Sequence, residues 1–356
     1  MSLNIQPFGA RGRGLWRAVA ALWIACLGLV GGAASAEPFR LIVTHLEPPL
    51  LPNSVMDLAQ SLGYFEAEGV EVDLVRVQQT PSAIAALKAG EGEMANISLD
   101  ALLQLHAMGD DSLRAVVSPN TSLPFLIAAR AAVASPEALA GKTFGIGRVG
   151  SLDHALSMRV LAEAGVGAQA VSLVALGQPA TRAQALAAQR IDATTMSVGV
   201  WSTMPDRDGL HVLVSPEAYF AAAPLVNKVN VVPRAVLETR PREVQAVIRA
   251  LLRLSRDIAA EPDLWVRAMS PLRADVGPEA LRELVAQFSG SWMVNGGMNA
   301  ADLLRTRDWL IETGELSQAV VVAAAPDDLS AWVDFAPLDA ALRDLGVAAG
   351  ADPVAR

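Results

Sequence analysis

The chain has 356 residues, 52% of them hydrophobic, and a formal net charge of -9. It is long enough for two domains with cores of their own, and too acidic to bind nucleic acid or an anionic membrane surface. A single cysteine, Cys26, excludes a disulfide scaffold and cysteine-built metal sites.

Residues 1–36 read as an export signal. Arg11, Arg13 and Arg17 precede an apolar run at 18–32, and Ala34-Ser35-Ala36 is a small-residue cleavage site. The run is short for a membrane span. Cleavage after Ala36 removes Cys26 and three arginines but no acid, which takes the charge from -9 to -12. The expected product is an acidic, cysteine-free periplasmic protein.

Residues 39–44 form the first expected strand, and the proline-broken stretch 47–52 ends it. Asn53 or Ser54 then caps a helix with Val55, Leu58, Ala59 and Leu62 on one face. Strand 70–77, a helix from Pro81 to Ala89, strand 94–98 and a helix at 100–108 complete a βαβαβα run. Strands at 113–117 and 123–129 follow, separated by a turn at 118–120. The order of elements then begins again: strand 142–147, helix to Ala164, strand 171–176, helix 180–189, strand 193–197 and a helix around Trp201. Segments 87–98 (LKAGEGEMANIS) and 186–197 (LAAQRIDATTMS) align without a gap, which supports two similar lobes. Strands at 212–214 and 229–232 lead to helices at 242–258, 278–288, 300–312 and 338–345, with Pro262, Pro271, Gly296-Gly297 and Pro326 in loops between them. The fold class is α/β. The expected division is 37–125 for the first part of lobe I, 126–228 for lobe II and 229–356 for the return to lobe I with the C-terminal helices.

The second lobe opens on a strand, a glycine turn and a helix capped by Ser151. The spacing Gly145-Gly147-Gly150 also fits a dinucleotide fingerprint. Strand 171–176, however, ends in Gly177-Gln178-Pro179, where an acidic ribose partner would belong. A purely structural tight turn is a second alternative. A small polar or anionic ligand at the helix start is the preferred reading.

Ligands of doubly wound sheets sit beyond the carboxyl ends of the strands. Applied to both lobes, that rule selects Thr44, His45, Gln79, Thr80, Ser98, Ser122, Arg148, Gly150, Ser151 and Trp201 as ligand-binding candidates. Hydroxyls and amides dominate the set, with modest positive charge, as hydrogen-bond recognition requires. No nucleophile elbow, zinc-protease motif or phosphate loop occurs. No catalytic residue, metal or cofactor is expected.

Several of these residues carry a resemblance. Leu62-Gly63-Tyr64-Phe65 to Glu68-Gly69-Val70, the helix end at 87–90, Gly141-Lys142-Thr143-Phe144-Gly145 with Gly150-Ser151 and His154, and Val231-Val232-Pro233 to Arg242-Glu243-Val244 follow in order. Together they resemble the periplasmic substrate-binding proteins of ABC importers of the nitrate, sulfonate and taurine type, a family shared with thiamine-pyrimidine synthase-like proteins. The resemblance implies a two-lobed periplasmic binding protein of type II, each lobe a βα sheet sandwich, with C-terminal helices. It implies a monomer that closes on a small-molecule solute and hands it to an ABC permease and its ATPase at the inner membrane. The ligand would be a sulfonate, taurine or nitrate, or else a carboxylate or pyrimidine. An exported NAD(P) oxidoreductase using the glycine turn and a periplasmic ligand sensor remain alternatives.

Overall fold

The structure is a computed structural model. It describes residues 1–2, 37–119, 125–222, 226–288, 291–314, 316, 328–350, 352 and 354; the expected export signal therefore lies almost wholly outside the described residues. Every element below belongs to the compact unit Pro38–Arg356.

Ten strands are described, in two five-stranded sheets: β1 (Phe39–Val43), β2 (Val72–Arg76), β3 (Met94–Ser98), β4 (Leu113–Val117), β5 (Phe125–Arg130), β6 (Thr143–Ile146), β7 (Ser172–Ala175), β8 (Ala193–Ser197), β9 (Leu210–Val214) and β10 (Lys228–Pro233). The first sheet has the order β2-β1-β3-β10-β4 and the second β7-β6-β8-β5-β9. In each sheet four strands run in one direction, and the strand arriving from the other lobe, β10 or β5, lies antiparallel between its two neighbours. Covered on both faces, the central strands are the nearly unbroken apolar runs that parallel sheets need: Phe39, Leu41, Ile42 and Val43 are fully buried.

Helices α1 (Val55–Ser61), α2 (Thr80–Lys88), α3 (Leu99–Ala107), α4 (Leu152–Glu163), α5 (Pro179–Ala187) and α6 (Val198–Ser202) supply the crossovers. Beyond β9 come α7 (Pro216–Ala222), α8 (Arg234–Thr239), α9 (Pro241–Ala260), α10 (Pro262–Leu272), α11 (Pro278–Gln287), α12 (Ala300–Glu312) and α13 (Ala336–Leu345). Proline stands at or next to the first position of α2, α5, α9, α10, α11 and α13, where its missing N–H costs no hydrogen bond.

This placement corrects one expectation. Pro262 and Pro271 are not loop residues: the first opens α10 and the second sits in its last turn. Trp265, Val266 and Met269, spaced for one helical face, are buried and override the proline at the far end. Ser54 is corrected too. It precedes α1 without a side-chain cap; its Oγ instead donates to the Leu51 carbonyl at 2.6 Å and accepts from Trp265 Nε1 at 2.9 Å.

Candidate functional site

A cavity of about 220 Å3 lies between the two sheets. It is lined by the carboxyl ends of parallel strands, the helix starts that follow them, and the first residues of the two antiparallel strands. The last group is the informative one. Because β10 and β5 run against their neighbours, their amino ends share an edge with the carboxyl ends of β3 and β8: Lys228 pairs in register with Ser98, and Phe125 with Ser197. Both Lys228 and Phe125 line the cavity.

Of the ten residues selected from sequence, Thr44, Gln79, Thr80, Ser98, Arg148 and Ser151 line this cavity. Gly150 does not; its N–H is directed at His154 Nδ1, 3.4 Å away. Trp201 lies half-buried on α6, with the Arg207 guanidinium 5.4 Å from the ring centre. Ser122 falls outside the described residues.

His45 turns away from the cavity. Adjacent residues of an extended chain point to opposite sides, so Thr44 faces in while His45 reaches α1. There His45 Nε2 lies 2.9 Å from Asp57 Oδ2, and Arg76 donates to Asp57 Oδ1 at 2.6 Å. Val43 and Arg76, the ends of β1 and β2, are register partners, and the buried Asp57 clamps both strand ends to α1. Burial alone would raise its carboxyl pKa, but the His45 and Arg76 bonds outweigh burial and hold it below 3.8.

The glycine turn is not an empty anion cradle. The Gly147 N–H donates to Asp153 Oδ2 at 2.7 Å, and Arg182 pairs with the same oxygen at 2.5 Å. Gly145 serves packing: a Cβ there would stand 2.6 Å from Ile191 Cδ1. A pyrophosphate at this turn would meet a carboxylate already seated on the N–H. That disfavours the dinucleotide reading on grounds independent of the missing ribose partner.

Positive charge free to meet a ligand sits on the opposite wall. Lys228 donates through Nζ to Thr44 Oγ1, and among the described residues it forms no ion pair. Burial without a counter-charge pushes its pKa down to about 8. Around it, α2, α3 and α5 start at Gln79, Ser98 and Gln178, whose own side chains do not cap them; the first N–H of α3, that of Leu99, donates to the Asn227 carbonyl at 2.9 Å. Phe125, Leu156, Pro81 and Pro179 add apolar wall. The arrangement suits a small molecule with one anionic group and an apolar body. Among the described residues no group of histidine, cysteine or acidic side chains could hold a metal ion.

Sequence reasoning missed Lys228, Asn227, Phe125 and Arg182. The rule that selects strand carboxyl ends cannot see the amino ends of antiparallel strands, and nothing local shows that 228–233 enters the first sheet reversed. The one available signal was a lysine at the border of an apolar run.

Comparisons with known proteins add the following. A model of the NMT1/THI5-like family matches residues 55–264. Among solved structures, the alkanesulfonate-binding protein SsuA from Xanthomonas axonopodis pv. citri, bound to MOPS, is 20% identical with a TM-score of 0.65, over 82% of this chain and 98% of that one. A Candida albicans gene product described as having the generic periplasmic binding protein fold is 16% identical, with a TM-score of 0.66 over 83% and 96%. The desulfurization enzyme DSZB is 16% identical, with a TM-score of 0.60 over 86% and 99%. No curated protein matches the chain by sequence. The fold is that of periplasmic binding proteins, α/β with two lobes, as expected from the sequence.

Proposed function

We propose, from the premise that this chain belongs to the NMT1/THI5-like family, that its cleft binds a small organic anion in the periplasm and delivers it to an inner-membrane ABC importer. Lys228 carries this reading. A half-buried lysine that pairs with no carboxylate among the described residues, hydrogen-bonded to Thr44 and placed at the cavity beside three helix starts, is poised for an external anion. The ligand class is carboxylate or sulfonate: either gives Lys228 a charge-assisted bond and leaves an organic body for Phe125 and Leu156. Closure of the two lobes brings both walls onto the ligand, so binding favours the closed state.

A fold shared with an enzyme does not by itself separate binding from catalysis. Binding is supported by a cavity wall that joins one lysine to apolar side chains, Phe125, Leu156, Pro81 and Pro179.

The test is isothermal calorimetry of the purified protein against alkanesulfonates, aliphatic and aromatic carboxylates, taurine and nitrate. One organic anion class should bind, and Lys228→Gln should weaken it by about tenfold or more, the worth of a charged hydrogen bond. Binding confined to neutral or cationic compounds, or turnover of any compound, overturns the reading.

A further inference from the structure

Outside the cavity the lobes touch at a second place. Leu50, in the loop after β1, packs on Gly199, the second residue of α6 in the other lobe. The approach is so close that a Cβ on Gly199 would stand 2.9 Å from Leu50 Cβ and 3.0 Å from Leu50 Cδ1. Neither residue lines the cavity, and both are buried.

The loop that presents Leu50 is built to hold it there. Leu51, 1% exposed, has φ of 63°, a left-handed conformation that a branched side chain adopts only under constraint. The constraint is visible: Ser54 Oγ holds the Leu51 carbonyl, Trp265 Nε1 holds Ser54 Oγ, and Arg273 donates to the Pro48 carbonyl at 3.1 Å. Helix α10 and the residue after it thus fix the loop from behind. At the cavity rim a polar contact also crosses, with Gln178 Nε2 donating to the Gln78 carbonyl at 2.6 Å.

We propose that Leu50 and Gly199 form a clasp between the lobes that sets the population of the closed state, and hence ligand affinity, without touching the ligand. Glycine is required at 199 because any side chain would wedge the lobes apart at Leu50. A strained, well-anchored Leu51 keeps Leu50 presented whether or not the cavity is filled, so part of the closing free energy is intrinsic to the protein. The proposal rests on the two-lobe closure described above but not on the chemistry of the ligand.

The experiment uses no ligand. Cysteines replacing the exposed Glu66 and Glu163, one in each lobe, are spin-labelled in a Cys26→Ser background, and their separation is measured by double electron-electron resonance. The parent protein should show a populated short distance. Gly199→Val should deplete it by about tenfold, and Leu50→Ala, which removes contact without adding bulk, should deplete it by a smaller factor. If Gly199→Val does not fold, Leu50→Ala decides alone. A parent with no short-distance population, or variants with the parent's distribution, overturns the clasp. Calorimetry with the anion panel fails separately if the anion reading is wrong, so the two failures are distinguishable.

Discussion

Lys228 and Asp57 show how a residue's surroundings decide whether its charge faces the cavity or is spent on holding the scaffold. Lys228 has a hydroxyl neighbour and, among the described residues, no ion-pair partner, and desolvation lowers its pKa to about 8. Anion affinity should therefore be nearly flat below pH 8 and fall by about tenfold per unit above it, as the lysine loses its proton; calorimetry between pH 6 and 9.5 checks this, and Lys228→Gln should remove the slope. Asp57 is a carboxylate bound on both sides, by His45 and Arg76. Its pKa is lowered in the folded state. The stability it contributes is therefore fully present above its unfolded value of about 3.8 and lost as pH falls through the lower folded value. Asp57→Ala should cost about 1–3 kcal/mol at pH 7, the worth of hydrogen bonds to a buried carboxylate, and denaturant melts at pH 7 and pH 3 should show the loss shrinking in acid.

At the scale of elements, the reversed strand β10 depends on a polar pair in the middle of its sheet. Asn96 and Asn230 are register partners, both buried, and Asn96 Nδ2 donates to Asn230 Oδ1 at 2.7 Å. Among the described residues Asn230 Nδ2 then has the sulfur of Met94, 3.3 Å away, and that of Met56. Asn230→Leu strands the Asn96 donor and should cost about 1–3 kcal/mol, read as a lower urea midpoint. The double change Asn96→Leu with Asn230→Leu should recover part of the loss, since neither buried donor then remains. Most elements were legible in the sequence. Strand 94–98 and helix 300–312 fall where apolar periodicity puts them, because each carries a complete local signal. Helix α10 was not legible: two prolines outweighed a buried face whose importance depends on what it packs against.

For the whole molecule, the proposed closure of two lobes on a solute predicts linkage. A ligand bound only by the closed, folded protein at a hundred times its dissociation constant should stabilise it by about 2.7 kcal/mol, seen in thermal melts as a rise of a few degrees at this size. Composition, strand and helix periodicity and the repeated βα order were sufficient for an α/β chain in two similar lobes, because those signals are local and occur twice. They also placed Thr44, Gln79, Thr80, Ser98, Arg148 and Ser151 at one cavity, since a residue just past a buried parallel strand has little choice of position. What the sequence could not determine was which partner each polar group takes. His45 goes to Asp57 and the Gly147 N–H to Asp153, and Lys228 enters the cavity, only because β10 returns reversed between β3 and β4. Leu50 meets Gly199 across a gap of 149 positions for the same kind of reason. Such pairings join segments far apart in the chain, and only the closed tertiary fold brings them within bonding distance.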